Sequence, residues 1–471
     1  MSNVEFGSLF LEPLRNGVTK PKRVRGSGYK MVNMGEIFSL SFIQNQTMDR
    51  VPLTDKEKAT ALLQNNDLLF ARQSLVRDGA GKCSIFLNDN EPVCFESHII
   101  RVRLNQEVCY PMFYYYFFSS RLGKNTMDKI IEQGAGAAGI RGSDLAKLEV
   151  PYIEYSKQKE IADSLYSFDQ KIQLNTQINQ TLEQIAQALF KSWFVDFDPV
   201  RAKVQALSDG LSLEQAELAA MQAISGKTPE ELTALSQTQP DRYAELAETA
   251  KAFPCEMVEV DGVEVPKGWE VKPLPEIIDF LEGPGIRNWQ YTEEEDGIKF
   301  INIRCIQNGD LTLTTANKIT KEEAFGKYKH FQLEEDDIVV STSGTLGRFA
   351  FVRKEHLPLS LNTSVIRFRP IKNKSTLGFI AGFVENQLQH ELEIRASGSA
   401  QRNFGPTHLK QISLLVPNFK LLELHQKYAS SLFEKRKQLL SEIDVLKDTR
   451  DLLLPKLLNG EFIKWKTQKE I

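Results

Sequence analysis

The chain is written twice. Gly28-Tyr-Lys-Met-Val-Asn33 returns as Gly297-Ile-Lys-Phe-Ile-Asn302, and Asn66-Asp-Leu-Leu-Phe70 as Asp336-Asp-Ile-Val-Val340. Ile99-Ile-Arg-Val-Arg103 returns as Val365-Ile-Arg-Phe-Arg369, and Gly134…Ile140…Asp144-Leu145 as Gly398…Phe404…His408-Leu409. Both copies then read Val-Pro (Val150-Pro151, Val416-Pro417) before a long helical pattern, and partners stay 264–270 residues apart. One shared motif would be chance. Five in the same order define a duplicated unit of roughly 200 residues.

Each copy has two parts. Short apolar runs broken by Gly, Pro, Asn and Asp, such as Lys299–Ile306, Asp337–Ser341 and Ser364–Phe368, predict a strand-rich α+β domain. Helices are expected near Tyr110–Ser120 and Leu377–Gln389. A 4-3 apolar spacing then predicts a long helix in each copy. Its seam runs through Ile161, Leu165, Phe168, Ile172, Leu182 and Leu189 in the first, and Leu432, Leu439, Ile443, Leu446 and Leu453 in the second. Pro455 is expected to kink or end the second helix. Polar seam positions (Asn175, Asn179, Arg436, Arg450) would fix register and partner choice at some cost in stability. Because the seams fall at equivalent positions, the helices are expected to pair with each other, antiparallel, giving a pseudo-twofold molecule. Between the copies, residues 200–254 are rich in Ala, Glu, Gln and Leu. Capping boxes at Ser212-Leu-Glu-Gln215 and Thr228-Pro-Glu-Glu231 mark a helical connector or insertion.

Composition narrows the function. With 41% apolar and 25% charged residues the chain can build a soluble globular core. Its most apolar stretch, Tyr110–Phe118, is too short to span a bilayer, and the N-terminus lacks a signal-peptide pattern. Five cysteines without a CxxC pair fit reduced thiols in a cytosolic protein. The net charge of −4 is unevenly spread. Residues 1–150 hold 19 Lys and Arg against 16 Asp and Glu, whereas 200–254 hold 5 against 8. Catalytic machinery is hard to find. Gly134-Ala-Gly136-Ala-Ala-Gly139 fits GxGxxG but follows a helical segment, not a strand, and Gly79-Ala-Gly-Lys-Cys83 lacks the upstream glycine of a P-loop. The six histidines form no metal spacing, and no Asn-Pro-Pro-Tyr or Asp-Pro-Pro-Tyr motif occurs. The chain reads as a binder, with no catalytic residue and no metal.

The order of elements carries a resemblance: a variable domain, a glycine-rich loop, Val-Pro, then a long helix, repeated once, with Val265-Pro-Lys-Gly-Trp269-Glu introducing the second copy. With the helix ends Leu189-Phe-Lys-Ser-Trp-Phe-Val-Asp-Phe197 and Leu453-Leu-Pro-Lys-Leu-Leu-Asn-Gly-Glu461, it resembles the specificity subunit of type I restriction–modification enzymes over nearly the whole chain. Residues 200–254 are longer than that family needs. The resemblance implies a target recognition domain at 1–151, a central conserved helix at 152–199, the connector at 200–254, a second recognition domain at 255–417 and a C-terminal conserved helix at 418–471. It implies a non-catalytic reader of an asymmetric bipartite site in double-stranded DNA. Two modification subunits, carrying S-adenosylmethionine and adenine methylation, would dock on the helices. Restriction subunits would bring ATP and Mg, and this chain would bind no cofactor. Thirty-five helical residues span roughly 50 Å, so the helices would set the spacer; one heptad added to both, near Asn175 and Ile443, should lengthen the preferred spacer in a methylation assay, and an unchanged spacer would refute this.

Basic residues in loops of both copies are the candidate DNA contacts: Lys22, Arg23 and Arg25 with Arg287; Arg72, Arg77 and Lys82 with Arg348; and Arg141 with Arg402. Arginine can pair bidentately with guanine or clamp a phosphate, whereas lysine serves mostly phosphate. Arg101, Arg103, Arg367 and Arg369 alternate on strands and are expected on a solvated face. Trp193 and Phe197 are expected in the helix-end core. Two other functions fit the bare pattern, a stand-alone two-headed DNA-binding regulator and a protein–protein scaffold on a coiled-coil stalk. A steep loss of affinity between about 50 and 200 mM salt would separate DNA binding from the scaffold.

Overall fold

The computed structural model describes residues 2–134, 136–343, 347–395 and 404–458. These form two compact units: the chain up to Thr176 with the residues from Ser441 on, and Gln177–Leu440. The division cuts through both long helices, so the contact units differ from the five segments expected from sequence.

In the first unit, Ser2–Glu5 pairs antiparallel with Glu149–Tyr152 and closes the head on itself. A five-stranded sheet follows the order Arg15–Asn16, Ile99–Val102, Leu68–Ala71, Cys83–Phe86, Phe42–Ile43. A second sheet sets Tyr29–Val32 between Asp49–Val51 and Val93–Phe95, the latter pairing parallel with Met31 opposite Cys94. The helix Pro111–Ser119 reads PMFYYYFFS and is apolar on every side, so it sits inside the head. Its rings meet those of Phe6 and Phe42 edge-on or tilted.

The second unit repeats this plan. Glu270–Pro273 pairs with Ser413–Val416. Val365–Pro370 lies between Ile278–Glu282 and Ile338–Ser341. Ile298–Ile301 lies between Lys318–Ile319 and Leu359–Leu361, again with one parallel pairing. Leu377–Phe383 takes the place of the aromatic helix. A shared backbone detail confirms the correspondence: a Cβ on Gly17 would lie 1.9 Å from the Phe95 carbonyl oxygen, and one on Gly283 would lie 2.1 Å from that of Asn362. Only glycine allows either approach.

The long helices are Tyr155–Phe194 and Phe419–Leu458. Within the first unit Ile161, Leu165 and Ile443 are buried, and Phe168, Ile172, Leu446 and Leu453 half-buried. Ile161 and Leu165 share a cluster with Leu454, Leu457 and Leu458. Asp169 pairs with Arg450 and Lys171 with Glu442, so the helices run antiparallel here. Within the second unit Leu439 is buried, Leu182, Leu189 and Leu432 are half-buried, and Glu183 meets Arg436 at 3.5 Å while Phe190 lies against His425, again antiparallel. Asn175, wholly buried, and Asn179 hold amides without a hydrogen-bond partner among the described residues. Pro455 does not end the helix. It is exposed, and the helix runs on to Leu458, the last of the described residues; water can reach the Asp451 carbonyl that the missing amide leaves without its helical partner.

Residues 198–252 form four helices, Asp198–Ser208, Leu213–Ser225, Pro229–Thr238 and Pro240–Ala252. Both expected capping boxes are present. The last helix is tied to Phe419–Leu458 by Glu248–Lys420 at 2.9 Å. The buried Lys203 ammonium donates to the carbonyls of Ala250 and Phe253. A hairpin, Met257–Val260 and Val263–Pro266, turns at Asp261-Gly262, both with positive φ. Trp193 is fully buried against Phe253 and His425, and Phe197 packs on Trp269.

Candidate nucleic-acid interface

Strand Leu68–Ala71 delivers the chain to a turn at residues 72–82, and the glycine-rich loop is zipped onto it. Ala138 pairs with Ser74 and Gly139 with Gln73, and Ile140 donates its amide to the Arg72 carbonyl at 3.0 Å. This brings Arg72 and Arg141 to the rim of one groove of about 350 Å³, floored by Ala138 and Gly139. Arg141 reaches Glu132 at 2.7 Å, but both side chains are well exposed. Such pairs contribute little and exchange readily for a phosphate. Arg77 pairs with Asp128 at 2.8 Å and also donates to the carbonyls of Asp128 and Ile131, which locks the turn onto helix Arg121–Asp128. Lys82 donates to the Phe38 carbonyl at 2.6 Å; burial, then the neighbouring Lys124 charge, lowers its pKa.

Of the residues expected from sequence to touch DNA, Arg72 and Arg141 line this groove, whereas Arg77 and Lys82 lie on the same turn outside it, Lys82 lining a separate pocket. Sequence reasoning missed Lys124, on the neighbouring helix, which lines that second pocket with Lys82. In the groove Arg72 and Arg141 stand against Glu132, and in the second pocket Lys82, Lys124 and Arg450 stand against Asp78, Asp128, Asp169 and Asp451. The groove, with two arginines against one glutamate and Gly134 and Gly139 in its lining, is cationic and concave, which suits a polyanion.

The comparisons with known proteins agree. The chain matches the family described as type I restriction modification DNA specificity domain over residues 15–184 and again over 266–438. The chain belongs to that family. It is 39% identical over 439 residues to the type I restriction enzyme HindI specificity subunit of Haemophilus influenzae, covering 91% of this chain and 93% of that one. It is 24% identical over 355 residues to the MjaIX specificity subunit of Methanocaldococcus jannaschii, 74% of this chain and 68% of that one. Its fold is similar to the crystal structure of a type I restriction–modification S subunit from M. genitalium, with a TM-score of 0.51 at 18% identity over 97% of this chain and 95% of that one. The chain is a DNA specificity subunit; the family match over both heads does not favour a stand-alone regulator or a protein scaffold.

In this specificity subunit the other expected contacts are more scattered. Lys22 and Arg23 are exposed on the turn before Tyr29–Val32. Arg25 is used internally: it donates to Asn33 at 3.1 Å and Asp49 at 2.6 Å and holds the Lys20 carbonyl. In the second head Arg287 is exposed on the turn equivalent to that of Lys22, and Arg348 is exposed beside strand Phe349–Phe351. Arg402 lies outside the described residues.

The alternating arginines are not on a solvated face. Arg103 donates from Nε and Nη2 to both oxygens of Asp67, at 2.8 and 2.7 Å, and Arg101 joins it on Glu12. Arg369 repeats this on Asp337 at 2.7 and 2.8 Å, and Arg367 pairs with Asp279. Gln64 and Glu334 add amide donors to the same two aspartates, each at 2.7 Å. Alternation along a strand shows two faces but not which is covered, and a carboxylate more than thirty residues away decides it here. Among the described residues no group of His, Cys, Asp and Glu could hold a metal, and no helix is long and apolar enough to cross a membrane.

Proposed function

We propose that this chain reads an asymmetric bipartite site in double-stranded DNA, one half with each head, within a type I restriction–modification complex in the cytoplasm. The observation that carries the reading is the cationic groove of the first head, built on a scaffold the second head repeats with different loop residues. A duplicated reader need not read a palindrome, because its heads diverge independently, as subunits of a homodimer cannot.

Two modification subunits dock on the long helices and supply S-adenosylmethionine and adenine methylation; restriction subunits supply ATP, Mg and cleavage. This chain binds none of these cofactors and performs no catalysis. Docking is supported by Leu174, Val445 and Leu452 of the first unit, which stand exposed on the helices although each could be covered. The test is to sequence the methylome of a methylation-free host expressing this chain with its modification subunit. A bipartite, asymmetric motif with methylated adenine in both halves is expected. No new motif, with both proteins soluble and associated, would refute the reading.

A further inference from the structure

At the tip of the turn in the first head stand two adjacent aliphatic side chains, Leu75 with 88% and Val76 with 65% of its surface exposed. Exposure of one apolar residue is ordinary; a neighbouring pair on a rigid tip is not. The turn is fixed from several sides. Ser74 Oγ accepts the Val76 amide at 3.2 Å, and the Val76 carbonyl accepts from Gly79 at 3.1 Å. Gly81 donates to the Ala71 carbonyl at 2.8 Å, and Arg77 is locked on Asp128. Gly79 has no room for a side chain, since its Cβ would fall 2.2 Å from Ser74 Oγ. The pair is therefore held out in water with no internal surface to fold onto. Arg77 follows the pair in the chain, and Arg72 and Arg141 line the groove beside this turn; Arg77 and Arg141 already have carboxylate partners.

We infer that Leu75 and Val76 are the apolar part of base reading in the first head, contacting the C5-methyl group of thymine in its half-site. This rests on the function proposed above. Phosphate contacts position a protein but carry no sequence, which must come from groups that reach base edges. The thymine methyl is the one feature of the major-groove edge that an aliphatic side chain reads. A half-site methylated on adenine necessarily holds a thymine opposite it. Surrounding cations bring the backbone close, and the preformed tip avoids an ordering cost on binding.

The test uses the complex with its modification subunit and duplexes carrying the motif found by methylome sequencing. The double variant Leu75→Ala, Val76→Ala should bind the half-site of the first head about tenfold more weakly and the other half-site unchanged. Replacing the half-site thymines by deoxyuridine, which removes only the methyl, should cost the unaltered complex about fourfold per methyl read and the variant nothing further. An unchanged variant, or losses from variant and deoxyuridine that simply add, would overturn the inference. So would loss of assembly with the modification subunit, which would make the tip a protein contact. Insensitivity to deoxyuridine with a rise in 2-aminopurine fluorescence would overturn it in favour of a wedge between bases. A complex that prefers neither half-site would instead bring down the functional reading itself.

Discussion

Arg103→Met is expected to destabilise the first unit by about 3–5 kcal/mol, the cost of leaving one member of a buried ion pair alone. Asp67 is wholly inaccessible to solvent and takes two hydrogen bonds from the Arg103 guanidinium. Without them only the Gln64 amide remains, and the carboxylate must stay charged without a partner or take up a proton. The double variant Asp67→Leu, Arg103→Met should recover much of the loss, because replacing both members of such a pair removes the uncompensated charge. Hydrogen exchange at Leu68–Ala71, read beside denaturant unfolding, locates the effect; a loss under about 1 kcal/mol would mean that the pair is not structural. Arg369→Met should cost less, since that guanidinium is 28% exposed and water screens part of the charge. The first variant should also weaken reading of a single half-site, because Leu68–Ala71 leads straight into Arg72 and the exposed tip.

How far this fold was legible follows from where its information lies in the chain. The repeated motifs, apart from Gly398, which lies outside the described residues, fall on equivalent strands, turns and helix starts of both heads, because a duplicated core must keep the same pairings. The connector helices were legible at Ser212 and Thr228 because a capping box is complete within four residues. Pro455 does not end the helix at its own position, because a proline removes one amide bond and its exposed site leaves the freed carbonyl to water. Arg101, Arg103, Arg367 and Arg369 were misread since their partners are remote in sequence. In the candidate site the loop cations could be named but not grouped: pairing of Ser74 with Ala138 brings together Arg72 and Arg141, 69 positions apart in the chain. Leu75-Val76 carried no signal at all, because two apolar residues ordinarily predict a strand or a core.

Lowering the pH from 7 to 4.5 is expected to leave the second unit little changed, because two buried groups act in opposite directions. His425 is enclosed by Phe190, Trp193 and Phe194, and neither ring nitrogen has a hydrogen-bond partner among the described residues. Burial pushes its imidazole down to about 3. Below its unfolded value near 6.5, the unfolded chain binds a proton that the folded chain refuses. Stability falls by roughly tenfold in the folding equilibrium per pH unit, about 3 kcal/mol by pH 4.5. Glu385 does the reverse. Burial pushes its carboxyl up to about 7, against the pull of Arg436 at 3.0 Å. The folded chain therefore takes up its proton before the unfolded chain does, and stability rises as pH falls through the same window. Single substitutions should unmask each contribution. Glu385→Gln should leave the His425 loss exposed, so that acid weakens the unit. His425→Leu should remove that loss, so that acid strengthens it. Urea unfolding followed by the fluorescence of Trp193, whose ring lies against His425, reads both at pH 7 and 4.5. If the two variants gave the same pH dependence as the unaltered chain, neither group would titrate differently on folding, and the flat profile would need another origin.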